Sequence, residues 1–131
     1  MSSPIASMER TRFIIHRAKK ILLLDYTNLG NSPEQLQEEI ARTRQLISTQ
    51  PPGSLLIVTD VRGSRITPGN VKAMQELVRH NAPYVKWSAV VVGLTGVYLT
   101  AFRAIQVVSR RRNLNAFNDL EEAKNWLVSQ P

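Results

Sequence analysis

Cysteine is absent from the 131-residue chain, which excludes disulfides, thiolate metal sites and a cysteine nucleophile. Histidine occurs twice, as His16 and His80, on segments that look unrelated. Neither has a nucleophile or an orienting acid beside it in sequence, and no metal-ligand spacing is visible, so no metal and no cofactor is expected. Aromatic residues make up only 6% of the chain. Basic and aromatic residues do not interleave into a base-stacking platform, so nucleic acid is not an expected partner. The opening segment, MSSPIASMERTR, lacks an apolar stretch of signal-peptide length. A cytoplasmic location is therefore expected, with residues 1–10 as a disordered tail and 11–131 as one domain.

A chain of this length buries roughly two-thirds of its unfolded surface, enough for a core without metals or crosslinks. Hydrophobic residues at 43% and charged residues at 21% are ordinary for a globular protein. The net charge is +7, spread from Arg10 to Lys124, with its densest runs at Arg17/Lys19/Lys20 and Arg110-Arg111-Arg112. Such a charge bears on solubility and on attraction to anions, not on fold. One long apolar run, SAVVVGLTGVYLTAFRAIQVV, is interrupted by Gly93, Gly96 and Arg103. Its unbroken length falls short of the roughly 20 residues that cross a bilayer, so no transmembrane segment is expected.

Periodicity places the elements. TRFIIHRAKKILLLDY, residues 11–26, reads as two short strands joined by a tight turn, hence antiparallel. Ser32, Pro33 and Gln35 form the start signal of a helix, with a capping box from Ser32 to Gln35. Leu36, Ile40, Thr43 and Ile47 make its inner stripe, and Glu34, Glu38, Glu39, Arg42 and Arg44 its outer face. SLLIVTDV, residues 54–61, suits a strand buried on both faces. A second helix is capped at Thr67, opens with Pro68, and carries Val71, Met74, Leu77 and Val78 inward. WSAVVVG, residues 87–93, is the next buried strand, and Thr95-Gly96 opens a third helix reaching about residue 109. LNAF, residues 114–117, is the last strand. The final helix starts at Asn118-Asp119, with Leu120, Ala123, Trp126 and Leu127 facing inward. The order β-β-α-β-α-β-α-β-α predicts a single α/β domain: a mixed, mostly parallel sheet of about five strands with four helices.

In such sheets ligands bind beyond the carboxyl ends of the strands. Three predicted strand ends carry polar or flexible residues, namely Asp25; Asp60 with Arg62, Ser64, Arg65 and Thr67; and Gly93 with Thr95 and Gly96. These nine are the candidate binding residues, and no catalytic residue is assigned. Aspartates at strand ends commonly cap the following turn. The turn from Gly93 to Gly96 offers backbone N–H groups that suit either a tight turn or a small anion.

The segments ILLLDYTNL, LLIVTDVRG, AVVVGLTG and NAFNDLEEAKNWL, in this order, resemble the SpoIIAA-like branch of the STAS fold, the anti-sigma factor antagonist type. The resemblance covers residues 11–129 and implies a mixed, mostly parallel sheet and a role in partner recognition or ligand sensing. Better-known members carry an Asp-Ser-Ser-Gly turn whose serine is a phosphoacceptor. The matching place here reads Ser64-Arg65-Ile66-Thr67-Pro68-Gly69, so the signature is missing and Ser64 or Thr67 is the available hydroxyl, with Arg62 and Arg65 near the new charge. The branch is also related to Sec14-type lipid-binding domains, which implies an alternative: a lipid or small anionic ligand held beneath the third helix, residues 97–108. LLLDYT and LLIVT resemble the opening motifs of haloacid dehalogenase-like phosphatases as well. Thr27, however, replaces the second aspartate and no later aspartate pair follows, so the chain is not expected to be an enzyme. A regulatory module with a protein partner is the leading expectation. The first strand is expected at a sheet edge, where a second copy could pair to give a homodimer.

Overall fold

The hairpin at the start of the domain turns on two residues that both sit at positive φ, Arg17 at 50° and Ala18 at 66°. That is the backbone of a two-residue turn matched to strand twist, and it normally selects Asn-Gly because side chains resist it. Ala18→Gly should therefore raise stability by about 0.5–1 kcal/mol, read as a higher denaturant midpoint with unchanged slope. The computed structural model describes residues 9–65, 67–93 and 113–131. The predicted third helix, and with it Thr95 and Gly96, lies outside the described residues.

Strands β1 (Thr11–His16) and β2 (Lys19–Asp25) pair antiparallel; β2, β3 (Leu55–Asp60), β4 (Val85–Val91) and β5 (Leu114–Phe117) pair in parallel. The five-stranded sheet runs β1-β2-β3-β4-β5 in space as in sequence. Between them lie α1 (Pro33–Ile47) and α2 (Pro68–Asn81), and α3 (Leu120–Ser129) ends the chain. Short 3-10 turns cover Leu29–Asn31 and Ala82–Tyr84. The fold is thus α/β with a mixed, mostly parallel sheet, as the alternating pattern predicts.

Right-handed crossovers advancing in one direction put their helices on one face. Accordingly Leu36, Ile40 and Ile47 of α1 and Ala73 and Leu77 of α2 share a core with Leu22, Leu24 and Ile57. The last helix makes no crossover and returns on the opposite face, where Ala123 and Leu127 meet Ile21, Leu23, Val58, Ala89 and Phe117. Strand alternation thus divides β2 between two cores, which is why its apolar run is continuous. The helix α3 also reaches the hairpin: His16 Nε2 lies 2.7 Å from Asn125 Oδ1, and Lys19 Nζ donates to the Val128 carbonyl at 2.8 Å. His16 is thereby a clamp between β1 and α3. Trp126 packs edge-on to Trp87 and against Phe117, on the same face.

Four local expectations change. Ser32 caps α1 by position but makes no side-chain capping bond, so the Ser32–Gln35 box does not form; Ser32 N–H instead closes the preceding 3-10 turn onto Leu29. The buried row of α2 is Ala73, Leu77 and Asn81; Leu77 and Met74 face the core as expected, while Val71 is exposed. The strand β4 starts at Val85, two residues early, because the register shifts between Leu55 and Leu56 and leaves Lys86 as an extra residue. Glu39, expected on the solvent face of α1, is buried.

The buried Glu39 belongs to a chain of polar groups beneath β1. Thr11 Oγ1 donates to Glu39 Oε2 at 2.7 Å and lies 2.8 Å from Thr43 Oγ1, which in turn contacts the Tyr26 hydroxyl. A carboxylate only accepts, so Thr11 spends its one hydrogen on Glu39, Thr43 donates to Thr11, and Tyr26 donates to Thr43. Burial, with help from the Glu39 charge, holds the Tyr26 phenol above its ordinary range and keeps it a donor.

Candidate functional site

The carboxyl ends of β2, β3 and β4 meet at one rim, since Asp25 pairs with Asp60 and Asp60 with Val91. The two aspartates have different partners. Asp25 Oδ1 accepts from the Thr27 hydroxyl at 2.6 Å and the Thr27 N–H at 3.2 Å, closing a turn. Asp60, with its side chain 4% exposed, accepts from the Arg62 backbone N–H and forms a two-pronged ion pair with the Arg62 guanidinium, at 3.0 Å to Nε and 2.7 Å to Nη2. That pairing, aided by the nearby Asp119 and Asp25, raises the Arg62 pKa and keeps it a fixed cation. The aliphatic stem of Arg62 crosses Gly93, which sits at φ 63°; a Cβ there would lie 2.9 Å from Arg62 Cγ. Gly93 is thus required twice, by its own backbone and by the side chain that covers it.

The loops after β2 and β3 are zipped together. Asn28 N–H donates to the Arg62 carbonyl at 2.9 Å. Asn31 donates through Nδ2 to the Gly63 carbonyl at 2.9 Å and accepts from the Arg65 N–H at 3.1 Å. The Ser64 hydroxyl accepts from Gly30 N–H at 2.9 Å and donates to the Tyr26 carbonyl at 3.2 Å. Asn70, in the first turn of α2, donates to the carbonyls of Gly30 and Arg65 at 2.8 and 2.7 Å. On the outer side, Arg10 donates to the carbonyls of Asp25 and Thr27 at 3.0 and 3.1 Å, so the last residue of the predicted tail is bound to the rim.

Of the predicted site residues, Asp25, Asp60, Arg62, Ser64 and Gly93 shape the rim, and Arg65 and Thr67 are exposed upon it. Arg65 uses its backbone in the network, and its guanidinium makes no ion pair among the described residues. Thr67 Oγ1 caps α2 by accepting from Asn70 N–H at 3.1 Å. The two predicted phosphoacceptors therefore differ. Phosphate on Ser64 would break both loop bonds, whereas on Thr67 it would stand in solvent at a helix start, where negative charge is favoured. Reading the sequence missed Asn31, Asn70 and Arg10, and took Asp119 only as a helix start. The string TNLGN was the available signal, since Asn and Gly mark turns that bond back to backbone.

The described residues hold no cluster of three or more His, Asp or Glu that could bind a metal. No described helix is long and apolar enough to cross a membrane. On the α2 face, Ile57, Thr59, Leu77, Asn81, Ser88 and Val90 line a cavity of about 20 Å³, room for one water. The lipid site predicted beneath residues 97–108 lies outside the described residues. No family model, curated protein or solved structure matches the chain.

Proposed function

We propose that the chain is a non-catalytic regulatory module of the STAS, SpoIIAA-like kind, acting in the cytoplasm by docking a protein partner on the rim around residues 60–67. The observation that carries this reading is the zipped loop pair. Six backbone and side-chain groups of residues 26–31 bond to residues 62–70, so the surface that displays Arg65 and Thr67 is ordered before any partner arrives. Preorganisation of that kind removes the ordering cost of binding. Arg65 and the N-terminal end of α2 favour an acidic patch on the partner.

The test is capture from an extract of the source cells with the wild-type chain and with Arg65→Glu, read by quantitative mass spectrometry. A rim-dependent partner should bind the variant about tenfold more weakly. Equal recovery by both chains would remove the rim as the docking surface. A lipid retained by the purified chain in native mass spectrometry would replace this reading with the carrier alternative.

A further inference from the structure

The outer edge of β1 is a row of free backbone groups with a self-complementary pattern. The bond from Asp25 N–H to the Arg10 carbonyl, and the two-residue turn after His16, set the phase of the hairpin: Arg10, Arg12, Ile14 and His16 bond to β2. Thr11, Phe13 and Ile15 consequently aim their N–H and C=O groups outward, and no described residue bonds to them. Edge strands usually carry a proline, a bulge or a lysine that blocks pairing. The strand Thr11–His16 has no proline and no lysine, and its register with β2 is unbroken. Beside the edge stands Ile15, 71% exposed, one of two large hydrophobics of the described residues left in solvent.

We propose that β1 pairs with β1 of a second copy, antiparallel, across a two-fold axis at Phe13, joining two sheets into one of ten strands. This register sets Phe13 against the partner's Phe13 and Thr11 against the partner's Ile15. All outward groups of the three residues then find partners, and Ile15 is covered from both sides. Charge selects the same register. Arg17 falls opposite the partner's Glu9, twice by symmetry. Centring on Arg12 instead would oppose two arginines and set Glu9 against the partner's Ile15, and centring on Ile14 would set Arg17 against the partner's Thr11; both lose the Glu9–Arg17 pair, whereas an arginine faces the partner's His16 in the proposed register, as Arg10, and in the Ile14-centred one, as Arg12. An edge contact of this length is small, so the dimer forms and dissociates with concentration.

Sedimentation velocity of the full chain over a concentration series tests it. The wild type should shift from monomer to dimer. Ile15→Pro, which removes only an outward N–H, should weaken the dimer about tenfold or more while the thermal transition stays cooperative. Ile15→Lys should do the same without a backbone change. Arg17→Glu should also weaken it about tenfold, and adding Glu9→Arg should restore it. A chain that stays monomeric overturns the proposal and leaves the edge to a strand of another protein. A dimer that survives both Ile15 variants, or one indifferent to Arg17→Glu, overturns it as well.

Discussion

Thr11→Val should destabilise the fold by about 2–3 kcal/mol at neutral pH, although the two side chains share a shape and both suit a strand. The loss is electrostatic. Thr11 is 5% exposed and its hydroxyl is the donor that reaches Glu39 Oε2. Arg42, its charged neighbour, stands 3.6 Å from Oε1 with its side chain 72% exposed, so it neutralises Glu39 weakly. Without Thr11 the buried carboxylate keeps its desolvation cost and loses its best compensation. Thr43 also loses its acceptor, and the chain from Tyr26 ends unfilled. Adding Glu39→Leu to Thr11→Val should recover much of the loss, because an apolar pair in the same space needs no donor. Urea unfolding of the wild type, the single and the double variant decides this. A single variant within about 0.5 kcal/mol of wild type would mean that water already reaches Glu39.

That network shows where reading the sequence stops. Helical spacing places Glu39 beside Glu38 on the outer face of α1, and for Glu38 the placement is right. Glu39 turns inward because β1 runs alongside α1 and offers a hydroxyl at its height, a contact across 28 residues that no local pattern records. The same limit applies to α2. Its apolar residues give Val71 and Met74 as inner positions; Met74 does pack on the core, but the buried row runs through Ala73, Leu77 and Asn81 and leaves Val71 in solvent. Elements set by strong punctuation were legible: the hairpin, the Thr67 cap, the β5 strand at residues 114–117 and the Asp119 start of α3. The rim was legible too, because parallel strands must end on the same side. Its wiring was not. That Ser64 bridges Gly30 and Tyr26, and that Arg62 lies on Gly93, depends on the distance between two loops.

The Asp60–Arg62 pair should respond asymmetrically to the loss of either partner. Arg62→Ala leaves the Asp60 carboxylate buried with no cation, and should cost about 3 kcal/mol, the low end for a broken buried pair because the arginine side is 41% exposed. Asp60→Ala frees a guanidinium that water can reach, so its cost should be smaller, about 1.5–2 kcal/mol from lost charge-assisted bonds. The double variant should be more stable than Arg62→Ala alone. Denaturant midpoints of the three chains measure this, and equal costs for the two single variants would show that Asp60 is hydrated rather than dependent on Arg62. The asymmetry also governs how the proposed docking surface is tested. The Arg62 side chain neutralises Asp60 and covers Gly93, so a binding loss in Arg62→Ala would report a disturbed rim. Arg65 carries its charge outside that framework. A partner that loses affinity with Arg65→Glu, while the unfolding midpoint stays unchanged, touches the rim itself.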